Sequence, residues 1–121
     1  MRNKLYMVIP CYNEQEVLPE TSKRLKEKLS TLVKAGKIDP ESRIIFVNDG
    51  SKDRTWEIIR RLHEEAPVFG GVNLSRNRGH QNALLAGLMT VKDHADMAIS
   101  MDADLQDDIN AIDEMVEKYL N

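Results

Sequence analysis

The chain has 121 residues, 41% of them apolar and 31% charged, which is typical of a single globular domain. A net charge of −3 without a basic stripe gives no indication of a nucleic-acid partner. The single cysteine, Cys11, excludes an internal disulfide, and we interpret it as a small packing residue in a reducing compartment. The sequence predicts no signal peptide and no membrane span.

The first predicted strand covers residues 5–9 and stops at Pro10. A helix is predicted over residues 14–35, where apolar side chains recur at helical spacing. Pro19 falls near the start of this helix, where proline is tolerated, and Gly36 is expected to end it.

A second strand is predicted over residues 44–47, followed by a turn at residues 48–51. Asp53 is expected to cap a helix that ends before Pro67. The third strand is predicted over residues 68–74.

A loop at residues 75–79 leads to a predicted helix of small residues at 81–91, and then to a fourth strand at 97–101. The last helix is predicted from an apolar stripe made of Ile109, Ile112, Met115, Val116 and Tyr119.

This alternation predicts an α/β fold with a doubly wound, mainly parallel sheet. The strands show little polar alternation, so both faces of the sheet are expected to be buried. In such sheets ligands bind beyond the carboxyl ends of the strands. Polar clusters follow all four strands, at residues 10–14, 48–51, 75–81 and 102–106. The sequence therefore predicts one ligand site at this edge of the sheet.

Asp102 and Asp104 follow the fourth strand and are the most informative residues of the sequence. If the strand continued through them, its period of two would place both carboxylates on one face. Such a pair suits Mg²⁺ or Mn²⁺, especially when phosphate oxygens complete the coordination shell. The alternative is a solvated turn in which Asp107 or Asp108 caps the last helix. The pattern favours a nucleotide-diphosphate site.

The polar residues after the first two strands are suited to a nucleoside. Tyr12 can pack on a base, Glu14 can accept hydrogen bonds from ribose, and Asp49 can accept from the N–H of uracil or guanine. The alternatives are structural. Asn13 caps the helix with Tyr12 half-buried, and Asp49 forms an Asx turn, a role that is compatible with base binding.

After the third strand, Arg76 and Arg78 can neutralise phosphate, while Asn77 and Gly79 allow the backbone to approach a ligand. The alternative for both arginines is solvent exposure. We interpret His80 as a structural residue at a helix start rather than a ligand or base. Neither G-x-G-x-x-G nor a P-loop nor a zinc-type Cys–His cluster is present, which argues against three other kinds of ligand site.

Four motifs together resemble family 2 glycosyltransferases of the GT-A fold. They are VIPCYNE at residues 8–14, VNDGSKD at 47–53, LSRNRGHQ at 74–81 and MDADLQD at 101–107. The resemblance is closest to bacterial polyprenyl-phosphate (bactoprenol) glycosyltransferases and dolichol-phosphate mannosyltransferases. Residue 78 is an arginine, where an aromatic residue is expected in these relatives.

The resemblance implies that residues 1–121 are one nucleotide-sugar-binding domain of a metal-dependent, inverting glycosyltransferase. The donor would be a UDP-sugar, with GDP-mannose as a possibility, and the acceptor polyprenyl phosphate in cell-envelope polysaccharide synthesis. It implies Mg²⁺ or Mn²⁺ at Asp102 and Asp104. The substrate-binding residues it implies are Pro10, Tyr12, Glu14, Asp49, Arg76, Asn77, Gly79, Asp102 and Gln106.

The resemblance also implies a longer enzyme at the cytoplasmic face of a membrane, with its catalytic base beyond Asn121 and little activity in this part alone. The alternative is a nucleotide- or metal-binding module without turnover. A phospho-signalling domain is disfavoured, because Glu14 is the only acidic residue near the first strand. An uncovered sheet edge after the fourth strand predicts self-association, which sedimentation velocity would detect as a concentration-dependent rise in sedimentation coefficient.

Overall fold

The computed structural model describes residues 3–104, 109 and 111–120. Within these described residues, four strands alternate with four helices. The strands are β1 Leu5–Cys11, β2 Arg43–Asp49, β3 Phe69–Leu74 and β4 Met97–Ser100. The helices are α1 Leu18–Lys34, α2 Thr55–Glu65, α3 His80–Val91 and α4 Ala111–Leu120. All paired strands are parallel in the order β3-β2-β1-β4, so the expected α/β fold is confirmed.

The helices cover both faces of the sheet, as a doubly wound fold requires. On one face, alternate β1 residues such as Met7 pack in a single apolar cluster with residues of α1, α2 and α4. On the other face, Val8 and Val47 pack against α3. The expectation of burial on both faces is right for the central strands β1 and β2 and wrong for the edge strands. In β3 and β4 exposed residues alternate with buried or partly buried ones.

Pro10 does not stop β1, contrary to the sequence prediction, because the strand continues to Cys11. Val8 accepts a hydrogen bond from the N–H of Met101, so Pro10, two residues on, faces the same side of the strand. On that side β4 pairs with β1 only as far as Val8. Proline lacks an N–H, but no ladder hydrogen bond is lost at this position.

Helix α1 begins at Leu18 rather than at residue 14, because residues 15–17 form a turn. Pro19 lies in the first turn of the helix and Gly36 ends it with φ +75°, both as predicted. In α4, Ile112 and Val116 are buried, whereas Met115 and Tyr119 are exposed, so the predicted stripe is wider than the buried face.

β4 is an edge strand, four residues long, with exposed side chains at Ala98 and Ser100. Self-association through it stays a prediction. The cap predicted at Asp107 or Asp108 lies outside the described residues. None of the helices in the described part of the chain is long and apolar enough to cross a membrane.

Candidate donor and metal site

The carboxyl ends of all four strands meet at one edge of the sheet and enclose a cavity of about 410 Å³. The loops after β1, β3 and β4 contribute to its wall, and β2 contributes its last residue, Asp49. The residues that line it are Pro10, Cys11, Tyr12, Glu14, Asp49, Asn77, Gly79, His80, Asp102, Ala103 and Asp104. The predicted convergence of polar loops is therefore present in the fold.

Asp102 and Asp104 both border this cavity, although the strand does not persist through them as the spacing argument assumed. β4 ends at Ser100. The alternation nevertheless continues in the loop, because Met101 and Ala103 are buried while Asp102 and Asp104 remain open to solvent. Burial of the two apolar side chains thus directs both carboxylates to the cavity side.

Negative charge accumulates in the cavity around Glu14, which follows β1. Burial raises the pKa of Glu14 above its ordinary value, and the charges of Asp104, Asp53 and Asp102 raise it further. A cation bound among these carboxylates would offset this repulsion.

The two carboxylates fit Mg²⁺ or Mn²⁺ in a particular way. Within residues 3–104, 109 and 111–120, no group of three or more His, Cys, Asp and Glu side chains is placed to hold a metal ion. Mg²⁺ is commonly bound through one or two carboxylates, with phosphate oxygens and waters completing six ligands. Asp102 and Asp104 match that kind of donor set, in which a nucleotide diphosphate supplies the remaining ligands.

Asp49 lies at the floor of the cavity, 3% exposed, at the end of β2. Its Oδ1 accepts a hydrogen bond of 2.7 Å from the backbone N–H of Arg78. The Asx-type contact expected at Asp49 is made by its neighbour, since Asn48 Oδ1 accepts from the N–H of Ser51 at 3.2 Å. Asp49 therefore joins the end of β2 to the loop after β3 and borders the cavity.

Asn13 joins the loops after β1 and β2 and does not cap α1. Its N–H donates to Ser51 Oγ (2.9 Å), and its side-chain oxygen accepts from the N–H of Lys52 (2.8 Å). The residue has a left-handed backbone with φ +53°, which asparagine tolerates better than most residues. The N-cap of α1 is Val17, without a side-chain cap.

A second set of hydrogen bonds fixes the next two residues of the β1 loop. The N–H of Glu14 donates to Thr55 Oγ1 (2.9 Å), and that of Gln15 donates to Asp53 Oδ2 (3.2 Å). Asp53 Oδ1 accepts a hydrogen bond from the N–H of Thr55, the first residue of α2. Asp53 was predicted to cap this helix, and it makes such a contact although the N-cap residue itself is Arg54. Burial raises the pKa of Asp53, but hydrogen bonds from Thr55 and Gln15 outweigh this effect and bring it below the ordinary value.

Cys11 borders the cavity but packs into the core, as interpreted from the sequence. Its thiol donates to the carbonyl of Ile9 at 3.3 Å. Burial, followed by the charge of Glu14, raises the pKa of the thiol far above its ordinary value. Because the thiolate is the nucleophilic form, Cys11 is not an activated nucleophile.

His80 is the cavity residue that the sequence interpretation missed. It begins α3, as expected, but its Nε2 lies 3.7 Å from Asp102 Oδ1 on the cavity wall. The sequence did contain a signal for this position, because His80 directly follows Asn77 and Gly79, which were predicted to lie at the ligand site. Arg76 is exposed and does not line the cavity, while Gln106 lies outside the described residues.

The chain is similar over nearly its whole length to part of several longer proteins. The uncharacterized glycosyltransferase YkoT of Bacillus subtilis is 48% identical over 115 residues, which are 95% of this chain and 34% of that protein. The bactoprenol glucosyl transferase of Shigella phage SfV is 39% identical over 119 residues, 96% of this chain and 35% of that protein. The chain thus spans about a third of the length of the curated relatives it matches.

Two solved structures share the fold. The mannosyltransferase PcManGT from Pyrobaculum calidifontis, in complex with GDP-Man and Mn²⁺, aligns with 86% of this chain and 28% of its own at a TM-score of 0.65 and 22% identity. S. aureus TarS 1-349 in complex with UDP aligns with 97% of this chain and 33% of its own at a TM-score of 0.64 and 17% identity. These similarities confirm the expected GT-A type of α/β fold.

The sequence profile described as Glycosyl transferase family 2 matches residues 6–121. It therefore includes all four motifs whose loops surround the cavity. The chain belongs to glycosyl transferase family 2.

Proposed function

We propose that this chain binds the nucleotide-sugar donor of a metal-dependent, inverting glycosyltransferase. The donor is a UDP-sugar in preference to GDP-mannose, and the acceptor is polyprenyl phosphate in cell-envelope polysaccharide synthesis. The relatives named bactoprenol glucosyl transferase support a lipid-phosphate acceptor. Donor binding is the part of the reaction assigned to this chain.

One observation carries the proposal. The cavity has Asp49 at its floor and Asp102 and Asp104 on its wall, so a base acceptor and a carboxylate pair face one space. A donor of this class has the complementary groups, an N–H on its base and a pyrophosphate that binds divalent cations. The structural neighbours in complex with UDP, or with GDP-Man and Mn²⁺, support the same class of ligand.

The nucleoside half of the donor is assigned to the loops after β1 and β2. Asp49 accepts the hydrogen bond from the N–H of uracil, with its carboxylate already oriented by Arg78. Tyr12, exposed at the cavity mouth, packs on the base, and Glu14 accepts from the ribose hydroxyls. Pro10 forms part of the wall beside the base.

The pyrophosphate and sugar are assigned to the loops after β3 and β4. Asp104 is the principal metal ligand and Asp102 lies near both ribose and metal, while Asn77 and Gly79 line the sugar-phosphate path. Arg76, exposed in the loop after β3, is assigned to the phosphates, and Gln106 to the diphosphate or the sugar. A bound Mg²⁺ or Mn²⁺ would stabilise the charge that develops on the departing nucleoside diphosphate. We assign this chemistry to the cytoplasmic face of the membrane that holds the lipid acceptor.

Calorimetry on the chain tests the proposal. UDP is expected to bind at least about tenfold more tightly with Mn²⁺ than without it, because the cation neutralises the repulsion between carboxylates and pyrophosphate. GDP, with and without Mn²⁺, serves as the matched nucleotide. Equal affinity of UDP in the two conditions would contradict metal dependence, and tighter binding of GDP would reverse the preferred donor.

A further inference from the structure

A buried hydrogen bond connects the loop of Asp102 and Asp104 to helix α1. The hydroxyl of Thr21 donates to the carbonyl of Ala103 at 2.6 Å, between residues 82 positions apart in the chain. Thr21 and Ala103 are each only 3% exposed. Water does not compete for a bond enclosed in this way, so it fixes the direction of the carbonyl.

Ala103 stands between the two carboxylates and is fixed at two points. Its methyl group belongs to the apolar cluster between the sheet and α1, and its carbonyl is held by Thr21. The carbonyl is part of the peptide that leads into Asp104. The backbone on which both carboxylates depend is therefore set by the Thr21 contact as well as by the end of β4.

Helix α1 is itself fixed at the cavity end. The carbonyl of Glu14 accepts from the N–H of Val17 (3.1 Å) and of Leu18 (3.0 Å), and the carbonyl of Val17 accepts from the N–H of Thr21 (2.9 Å). Glu14 and Thr21 thus belong to one hydrogen-bonded segment. That segment places Glu14 on the cavity wall and Thr21 beneath the opposite loop.

We propose that Thr21 is a positioning residue for the divalent cation, whose hydroxyl fixes Asp102 and Asp104 in the arrangement that binds the metal. The inference rests on the proposed function, since it requires a cation between these carboxylates. Thr21 does not line the cavity, so it acts through the Ala103 carbonyl. Without the hydroxyl, cation binding must itself order the loop, and the cost of that ordering lowers the affinity.

The test compares Thr21→Val with wild type. Valine keeps the shape of threonine but has a methyl group in place of the hydroxyl, so the side-chain volume is retained while the Ala103 carbonyl loses its partner. The affinity of Mn²⁺ in the presence of UDP, measured by electron paramagnetic resonance of free Mn²⁺, is expected to fall about tenfold, the lower limit of effects for groups that orient metal ligands. The affinity of uridine without metal is expected to stay unchanged.

Two further variants separate positioning from a general loss of structure. Thr31→Val is the matched control, because the Thr31 hydroxyl donates to Glu27 on the exposed face of the same helix at 3.0 Å. It is expected to bind Mn²⁺ like wild type. Thr21→Ser keeps the hydroxyl and removes the methyl group, and is expected to retain most of the wild-type Mn²⁺ affinity. This variant tests the role of the hydroxyl even if Thr21→Val does not fold.

The outcomes are distinct. If Thr21→Val folds and binds Mn²⁺ as tightly as wild type, the positioning role is wrong while the proposed function stands. If Thr21→Ser loses as much affinity as Thr21→Val, the hydroxyl is not the active feature and the inference is again overturned. If wild type with UDP does not bind Mn²⁺, the metal part of the proposed function is wrong and the inference falls with it.

Discussion

Gly50→Ala is expected to destabilise the fold by about 4 kcal/mol or more, at the extreme of single substitutions. Gly50 has φ +66°, a left-handed conformation that disfavours a side chain. A Cβ there would lie 2.2 Å from the backbone N of Asn77 and 2.4 Å from the carbonyl carbon of Arg76. Both are backbone atoms, so no side-chain rotation relieves the overlap, and the loop after β3 must move.

Gly36→Ala is the matched control for this prediction. Gly36 also has a left-handed backbone, φ +75°, but nothing lies within 4 Å of the position of its Cβ. The substitution is therefore expected to lower the free energy of unfolding only by the cost of a left-handed backbone at alanine, about 1 kcal/mol. Urea denaturation of both variants measures the two free energies of unfolding. Equal destabilisation would show that the contact between the loops after β2 and β3 is not tight in solution.

Gly50 also illustrates how far sequence reasoning reaches. The run from Asn48 to Ser51 predicts a turn from local chemistry alone, and the turn is present. The contact of Gly50 with Arg76 and Asn77 depends on the pairing of β2 with β3 over six residues, from Ile44–Phe69 to Asp49–Leu74. Register of this kind is set by tertiary packing, so the loop contact is not encoded in the local pattern.

Asp102 and Asp104 both border the cavity, as their spacing predicted, but for a partly different physical reason. The spacing of Asp102 and Asp104 was interpreted through the period of a strand, yet β4 ends at Ser100. Both carboxylates face the cavity because Met101, which precedes them, and Ala103, which lies between them, are buried. Apolar residues alternating with acidic ones carry the same information in a loop, provided that a core lies beneath.

The residues that sequence reasoning missed act over long separations. Thr21 is one polar residue inside a predicted helix, and only the packing of α1 against the β4 loop brings it to Ala103. His80 was interpreted as structural because a helix start explains histidine locally. β3 and β4 are the two edges of the sheet, and the proximity of His80 to Asp102 comes from α3, which packs across the central strands β1 and β2 and begins with His80. The convergence of the motifs on one cavity was therefore predictable from the sequence, and the contacts that hold their residues were not.

Asp104→Asn is expected to remove most of the Mn²⁺-dependent gain in UDP affinity, about a hundredfold if the ligand contributes about 3 kcal/mol. The amide keeps the size of the side chain but not the charge that a hard cation requires. Without metal, the same variant is expected to bind UDP slightly more tightly, since one carboxylate that repels the pyrophosphate has been neutralised. A variant that was merely misfolded would lose affinity in both conditions.

The matched control for this charge change is Asp93→Asn. Asp93 is exposed just beyond the end of α3, whereas the first residue of that helix lines the cavity. Twelve helical residues span about 18 Å, so Asp93 lies well beyond the screening distance of about 8 Å at physiological salt. Its replacement is expected to leave both UDP affinities unchanged in calorimetry. If Asp104→Asn kept the Mn²⁺-dependent gain, Asp104 would not be the principal metal ligand, whereas an equal loss in both variants would identify net charge as the cause.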